Sequence, residues 1–325
     1  MRTLFHTFNR KTSSQRQKGV ALITALVIVA LVTVITVSAA SEQQYDLRRT
    51  ANVIDSDGAY VFALGAESWA MQILSKDAKD NKTDNLDEDW NTKISSLPVE
   101  GAVLSGRIDD MQGRFNLNNL IDKDGKRSDV DVRLFQRLLA HLDINRELVD
   151  AIVDWLDTDI DPTMPGGAED GAYLGLQQPY RAANRIFSSP SELMLVFGVT
   201  SEIYNKLEPF VTVLPEHGVP INVNTAAPEL LMTLAEGITE ADAEELIAAR
   251  KDTPFADSEE FINQPEFENK KAELATERIS VSSKYFMVTA AVQFGNGHAR
   301  LYSLLQRGGE NSGKVDVVMR GQGTY

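Results

Sequence analysis

Residues 19–41 read GVALITALVIVALVTVITVSAAS and contain no charged side chain. As an α-helix, about 20 apolar residues span roughly 30 Å, the thickness of the hydrocarbon core of a bilayer. The segment therefore predicts a membrane-spanning helix, and three interpretations are open. It is a secretory signal peptide cut near Val37-Ser38-Ala39, an anchor that stays uncut, or a segment cut on its cytoplasmic side, where Gly19 separates a basic stretch from the apolar run.

Charge is divided unevenly about this segment. Residues 1–19 carry five basic side chains and no acidic one, whereas the whole chain of 325 residues has a formal net charge of −15. Under the positive-inside rule the basic leader stays in the cytoplasm, which places residues 42–325 on the other side of the membrane. Such an acidic body argues against nucleic acid as a partner, because phosphate binding requires Lys and Arg. The absence of cysteine excludes disulfide scaffolds and thiolate metal sites.

The helical pattern continues beyond the apolar segment. Residues 42–76 contain no proline, and one apolar stripe recurs there at intervals of three and four: Ile54, Gly58, Phe62, Gly65, Trp69 and Ile73. We expect one helix from Val20 to about Lys76, roughly 85 Å long, whose first half lies in lipid and whose second half packs on a globular head. Signal peptides do not continue into such helices, so the continuation favours cleavage after Gly19.

The basic leader, the glycine, the apolar run and the long continuation resemble type IV pilins and the pseudopilins of type II secretion. Most members of that family have glutamate at the fifth position after the cleavage site, where this sequence has Thr24. The K component, the largest minor pseudopilin of the general (type II) secretion pathway, is the member that lacks this glutamate. Three later stretches also resemble it: GRIDDMQGRFNLNNL at 106–120, DWLDTDIDPTMPGGAEDGAY at 154–173 and INVNTAAPELL at 221–231.

This resemblance implies a structural protein rather than an enzyme. It implies a minor pseudopilin that caps the pseudopilus tip with other minor pseudopilins and supports the export of folded proteins across the outer membrane. It also implies cleavage after Gly19 by a prepilin peptidase, which methylates the new N-terminus at Val20. The protein would be a single-pass protein of the inner membrane, with its C-terminal domain in the periplasm. In the family the glutamate pairs with the N-terminal amine of a neighbouring subunit, so Thr24 is a candidate assembly residue.

The whole pattern predicts an α+β fold. We expect the long transmembrane and amphipathic helix to pack on a pilin-like antiparallel sheet formed by residues 42–119 and 277–325. Residues 120–276 read as a helical block between the strands, which predicts a large inserted all-α domain.

Local patterns give the expected elements of the head. Residues 77–100 are polar and predict a loop, and 102–110 with 114–117 predict a hairpin around Met111-Gln112-Gly113. Two β-rich segments at 279–294 and 298–307 are separated by a Gly-Asn-Gly turn signal. These segments supply the remaining strands of the predicted sheet.

Residues 150–170 contain seven acidic side chains and no basic one. Such carboxylates repel one another unless a cation lies among them, and oxygen ligands that converge from one loop suit Ca²⁺. The loop is not an EF-hand, because Pro162 stands where the glycine is needed. The alternative is a solvated acidic loop, but the resemblance favours Ca²⁺, since the K component binds calcium in this helical domain. The candidate ligands, carboxylates on either side of a turn rich in proline and glycine, are Asp157, Asp159, Asp161, Glu169 and Asp170.

Residues 221–262 resemble a helix-hairpin-helix, a module often used on DNA, which raises the alternative of a membrane-tethered DNA receptor. Thr239 stands where a phosphate-binding hairpin has a second glycine, and residues 220–276 carry four basic against 13 acidic side chains. We therefore expect a structural role for this unit and no nucleic acid partner. A further alternative is a membrane-anchored, calcium-dependent binding module unrelated to secretion, which cleavage after Gly19 would distinguish.

Overall fold

The computed structural model describes residues 14–268, 270–271, 274–308 and 313–323, without the side chains of 14–18. The predicted leader up to residue 13 lies outside the described residues. The α-helices are α1 (Ser14–Asp80), α2 (Asp129–His141), α3 (Leu148–Leu156), α4 (Asp170–Leu174), α5 (Ser201–Leu207), α6 (Pro228–Leu231), α7 (Glu240–Asp252) and α8 (Ser258–Ile262). The strands are β1 (Ile94–Val99), β2 (Ala102–Asp110), β3 (Phe115–Asn116), β4 (Val211–Thr212), β5 (Ile221–Asn222), β6 (Ile279–Ser280), β7 (Tyr285–Phe294), β8 (Gly297–Arg307) and β9 (Val315–Gln322). The predicted α+β class is confirmed.

Helix α1 is unbroken and confirms the predicted long helix. Within the described residues it is the helix that is long and apolar enough to cross a membrane, from Gly19 onward. The apolar side chains of its first half, such as Ile23 and Val27, are exposed. A surface of this kind is stable when lipid or other apolar helices cover it.

The second half of α1 packs on the sheet through a face of small residues. The residues buried against the strands are Ala59, Ala63, Ala70 and Leu74. The predicted stripe is wrong at Ile54, Gly65 and Trp69, which are exposed. Alanine lets the helix axis approach the strands closely, whereas large side chains on that face would hold it away.

The main sheet has five antiparallel strands in the order β1-β2-β7-β8-β9. Because β2 and β7 are neighbours and Asp110 pairs with Phe286, the chain leaves and re-enters the sheet at the same end. Phe286 belongs to one apolar cluster with Leu74 from the last turns of α1. Residues 111–284 therefore form an insertion at the end of the head that is remote from the apolar segment.

This insertion is mainly helical, as predicted, but not wholly so. Two parallel pairs of two-residue strands, β3 with β4 and β5 with β6, lie at its base. The predicted hairpin around Met111-Gln112-Gly113 is wrong, because Phe115–Asn116 pairs with Val211–Thr212 rather than with β2. Local sequence carries no sign of a partner almost one hundred residues away.

Residues 94–99 form an edge strand, so the predicted loop at 77–100 is wrong in its last part. Glu100 and Gly101 join β1 to β2 with φ values of 28° and 87°, the left-handed backbone of a tight two-residue turn. Pro98 is tolerated in β1 because an edge strand has a partner on one side alone. Most of this strand is exposed, so it lacks the alternation of buried and exposed side chains that marks a strand in sequence.

Side-chain amides hold the irregular parts of the insertion together. Asn118 donates to the carbonyl oxygens of Phe187 and Leu214 at 3.1 and 2.9 Å, and accepts from the N–H of Phe187. Asn119 donates to the carbonyl oxygen of Val219 and accepts from its N–H. Each amide thus satisfies buried backbone groups as a neighbouring strand would, which allows a non-helical segment to lie in the core.

Candidate functional site

The predicted acidic loop connects the end of α3 to the start of α4 and folds back on itself. Asp157 follows directly after α3, and Glu169 directly precedes α4. Asp157, Asp159 and Glu169 each offer a carboxylate oxygen, and these oxygens lie within 4.8 Å of one another. Asp157 and Glu169 are buried, whereas Asp159 is exposed. The structure therefore brings together three of the five predicted ligands.

The buried oxygens of this group have no hydrogen-bond donor. Oδ1 of Asp157 and both carboxylate oxygens of Glu169 are buried without a partner. Burial, followed by the charges of Asp159 and Asp154, raises the pKa of Asp157 to about 6. Burial, followed by the charges of Asp154 and Asp157, raises the pKa of Glu169 to about 7. Hard oxygens held together without donors fit a divalent cation that prefers oxygen ligands, so the residues present suit Ca²⁺.

Two further aspartates on α3, Asp154 and Asp150, accept hydrogen bonds from the backbone of the loop. Both carboxylate oxygens of Asp154 accept from the N–H of Thr163 at 3.1 Å, which holds the turn over the group. A Cβ at Gly167 would lie 2.3 Å from Oδ2 of Asp154, so the chain can pass here with glycine alone. Asp150 forms an ion pair with Arg127, with 2.8 Å between Oδ1 and Nη1.

The other two predicted ligands point elsewhere. Asp161 is exposed, and its N–H donates to Oδ1 of Asp159 in a local turn. Asp170 lies 3.4 Å from Nη1 of Arg181 and accepts from the N–H of Ala182. In this arrangement they flank the three-carboxylate group without joining it.

A second acidic group, which sequence reasoning missed, lies between α1 and β1. Oxygens of Asp77, Asp84 and Glu88 also lie within 4.8 Å of one another. Here, however, the guanidinium of Arg307 bridges Asp77 and Asp84, and the indole N–H of Trp90 donates to Glu88. The protein supplies its own cation at this place, so the group does not call for a metal. The run of acids at residues 77–89 was the available sequence signal.

The predicted processing and assembly residues lie together at the start of the apolar segment. Gly19 and Val20 are exposed, and a Cβ at Gly19 would meet no atom within 4 Å. The hydroxyl of Thr24 donates to the carbonyl oxygens of Val20 and Ala21 at 2.9 and 3.0 Å, as expected for a helical threonine. Thr24 therefore satisfies its own polar group within the helix.

The helix-hairpin-helix-like unit has no room for a phosphate at its second helix. The hydroxyl of Thr239 accepts from the N–H of Asp242, and the carboxylate of Asp242 accepts from the N–H of Thr239 at 2.8 Å. A carboxylate thus occupies the N-terminus of α7, where a backbone phosphate would bind. The hydrogen bonds to Thr239 lower the pKa of Asp242, which keeps it charged. This geometry opposes the DNA-receptor alternative.

Comparison with known proteins gives a consistent result along the chain. Two family models described as type II secretion system (T2SS), protein K, match residues 113–216 and 221–282. Type II secretion system protein K of Pseudomonas aeruginosa is 37% identical over 319 residues, covering 94% of this chain and 93% of that protein. The Aeromonas hydrophila protein of that name is 32% identical over 316 residues, covering 92% and 96%.

A solved structure shares the fold. The chain superposes with a TM-score of 0.75 on a chain of the GspK-GspI-GspJ complex from the type 2 secretion system of enterotoxigenic Escherichia coli. The match has 25% sequence identity and covers 85% of this chain and 100% of the other. The likeness therefore includes both the sheet and the insertion.

Proposed function

Because the chain belongs to the type II secretion system protein K family, we propose that it is the minor pseudopilin that caps the distal tip of the pseudopilus. Its partners are the other minor pseudopilins, as in the three-protein complex that contains its structural relative. Its role is structural: it supports the export of folded proteins across the outer membrane and does not act as an enzyme. It lies in the inner membrane as a single-pass protein, with its C-terminal domain in the periplasm.

The observation that carries this proposal is the position of the insertion. Residues 111–284 leave and re-enter the sheet beside Leu74, far along α1 from the apolar segment. In a filament whose subunits enter from the membrane, this end of the head faces the neighbour on the distal side. A bulky insertion there obstructs a distal neighbour, and a subunit at the tip has none.

The helix α1 offers a face for partner helices. Leu47, Ile54 and Val61 are spaced seven residues apart and are exposed, on the side of α1 turned away from the buried alanines. We call these three residues the α1 stripe. A seven-residue apolar spacing is typical of helices that pack side by side at about 20°. We infer that helices of partner pseudopilins cover the α1 stripe in the assembled tip.

We also propose that the acidic loop binds at least one Ca²⁺. Asp157, Asp159 and Glu169 would hold the ion, and the predicted ligands Asp161 and Asp170 lie beside them. When bound, the ion supplies positive charge to oxygens that have no donor within the protein. Asp157, which follows α3, and Glu169, which precedes α4, would then both bind the same Ca²⁺ instead of repelling each other. The ion would in this way link the two helices and stiffen the insertion.

A prepilin peptidase would cut after Gly19 and methylate the new N-terminus at Val20. Gly19 is exposed and has no side chain, which supports this proposal, because a peptidase can close on the backbone there.

The experiment that tests the tip position is immunogold labelling of overproduced pseudopili with an antibody against the insertion. We expect label at one end of each filament, because the insertion obstructs a subunit on its distal side. Label along the whole shaft would contradict the capping role. Co-purification of the full-length chain with the other minor pseudopilins from membranes tests the partners separately.

A further inference from the structure

An open groove lies on the head, between α1 and the strands that it leaves partly uncovered. Helix α1 packs mainly on β7 and β8, so the neighbouring part of β2 forms the floor of a cavity of about 640 Å³. The floor residues Leu104, Ile108, Val288 and Ala290 are buried, so the apolar surface open to a ligand comes from Trp69 and from the part-buried Ile73 and Ile94. Trp69 stands at the rim, half exposed, although its ring is large enough to be the anchor of an interface.

One end of the groove is strongly acidic. Asp80, Asp87 and Asp89 are exposed there and, among the described residues, none of them has a basic group within 4 Å. At the far end the charge of Arg107 is taken up by Asp109, whose oxygen lies 2.6 Å away. Lys76 is the remaining basic residue of the lining, so negative charge prevails.

The acidic end is fixed in place before any ligand arrives. Trp90 is buried, its ring meets Phe286 edge-on at 5.3 Å, and its indole N–H donates to Glu88. Arg307 lies 4.7 Å above the ring of Phe286 and ties Asp77 to the same place at 2.7 Å. These contacts fix the segment that carries Asp87 and Asp89, so binding of a ligand needs little reorganisation there.

We propose that this groove receives an extended segment of a partner pseudopilin that presents apolar side chains followed by lysine or arginine. The cavity has the volume of a typical ligand pocket, enough for a few large side chains. Trp69, with the part-buried Ile73 and Ile94, supplies the apolar contact, and the acidic end fixes the direction of the segment by charge complementarity. This inference rests on the proposed function, because it takes the occupant from the tip complex, but it concerns a surface distinct from the α1 stripe.

Site-specific photocrosslinking tests the occupant in the full-length chain. The photoreactive residue p-benzoylphenylalanine replaces Trp69 in cells that also produce the other minor pseudopilins. The matched control carries it at Phe197, which is an aromatic residue of the insertion with the same exposure of 44%. We expect an adduct with a partner pseudopilin from position 69, at least about tenfold stronger than from position 197. Mass spectrometry should place the attachment beside a lysine or arginine of the partner.

A charge-reversal arm separates the groove from the α1 stripe. Asp87→Lys with Asp89→Lys should lower the adduct from position 69 by about tenfold, a loss of charge complementarity of about 1.4 kcal/mol. The same pair should leave unchanged an adduct formed from position 54 in the α1 stripe. Asp129→Lys, a reversal at an exposed acid of α2, is the control and should change neither adduct.

The outcomes distinguish this inference from the proposed function. The groove proposal is wrong, and the tip role stands, if the partners co-purify with the chain but position 69 gives no partner adduct. The same holds if the charge reversal leaves the yield of that adduct unchanged. An adduct to lipid or to the chain itself also overturns it. If no minor pseudopilin co-purifies, the proposed function fails and takes this inference with it.

Discussion

Arg320 on the last strand makes two hydrogen bonds, each 2.7 Å long, to Glu67, which is buried on the face of α1 that meets the sheet. The hydroxyl of Ser303 donates to the same carboxylate. Burial favours the neutral acid, but the hydrogen bonds from Arg320 and Ser303 and the charge of Arg320 together lower the pKa of Glu67. The pair therefore fastens the first helix to the last strand of the sheet.

Arg320→Met should destabilise the head, because it leaves the buried carboxylate of Glu67 with one donor. Arg320 is 48% exposed and partly screened by solvent, so we expect a loss of about 1–2 kcal/mol in the free energy of unfolding at pH 7. Denaturant melting of the full-length chain measures it. Arg300→Met, at an exposed arginine without an ion pair in the described structure, is the control and should change little.

The same pair gives a pH dependence with a definite sign. The folded-state pKa of Glu67 is lowered, so its contribution to stability is present above the ordinary value of 4.5 and is lost as pH falls through the folded-state pKa. The difference in stability between the natural chain and Arg320→Met should therefore shrink below about pH 4.5. A difference that stays constant down to pH 3 would show that the variant acts through packing instead.

Removal of calcium should lower the melting temperature of the full-length chain. A ligand that binds the folded state alone adds about 2.7 kcal/mol at a hundredfold excess over its Kd, which corresponds to a shift of several degrees. Calorimetry with Ca²⁺ and with chelator measures the shift. A melting curve that Ca²⁺ leaves in place would mean that the loop is simply solvated.

The effect of Asp157→Asn on the melting temperature should have opposite signs in chelator and in Ca²⁺. In chelator the variant loses a buried charge that repels Asp159, so its melting temperature should rise above that of the natural chain. In Ca²⁺ it lacks a ligand, so it should fall below. Asp159→Asn and Asp161→Asn are compared by how much each reduces the rise in melting temperature that Ca²⁺ causes. A smaller reduction in Asp161→Asn fits the exposed position of Asp161. Equal reductions would mean that Asp161 is also a ligand.

Sequence reasoning located elements whose signal is local and missed those that depend on distant partners. The apolar run predicted α1, and the β-rich composition of residues 279–294 predicted the strand β7, because each signal lies within one element. The face of α1 was misjudged, since the alanines that pack on the sheet give a weak apolar signal beside Ile54 and Trp69. The pairing of Phe115 with Val211 depends on the whole intervening insertion, which no local pattern describes.

The acidic loop shows the same limit within one site. Its carboxylates are close in sequence, so composition alone located the group. Their positions depend on particular contacts: the backbone N–H of Asp161 donates to Oδ1 of Asp159 in a local turn, and Asp170 pairs with Arg181. Composition also could not separate this loop from the group at Asp77, which differs in having Arg307 as an internal cation.

Ile54→Arg should weaken co-purification with partner pseudopilins by at least about tenfold, because it places a charge in the middle of the α1 stripe. The control is Val53→Arg, one residue away on a different face of the helix and similarly exposed, at 54% against 60% for Ile54. Both variants should fold alike, since both positions are exposed. Equal losses from both variants would mean that the partner helices do not pack along this stripe.

The mature protein should begin at an N-methylated Val20. Gly19→Leu should block maturation, because the side chain would stand where a peptidase must close on the backbone. Mass spectrometry of the N-terminal peptide from membrane-extracted protein gives the answer directly. An N-terminus near Ala40 would identify a signal peptide, and an intact Met1 would identify an uncut anchor.

Thr24→Glu should impair assembly with the partner pseudopilins or leave it unchanged, and should not turn this chain into a subunit of the filament shaft. Thr24 now bonds within its own helix, through its hydroxyl and the carbonyl oxygen of Val20. In the pilin family a glutamate at this position pairs with the N-terminal amine of a neighbouring subunit. A tip subunit lacks the neighbour that would supply this amine, and an unpaired carboxylate in an apolar helix bundle costs several kcal/mol.

The decisive measurement is again the position of gold label on pseudopili, now for the variant. Thr24→Val serves as the control, because it keeps the shape of the side chain, removes the hydroxyl and introduces no charge. Both variants should label filament ends alone, since the insertion at residues 111–284 still obstructs a distal neighbour. If Thr24→Glu spreads along the shaft, charge at this single position decides the place of the subunit, and the steric argument from the insertion is wrong.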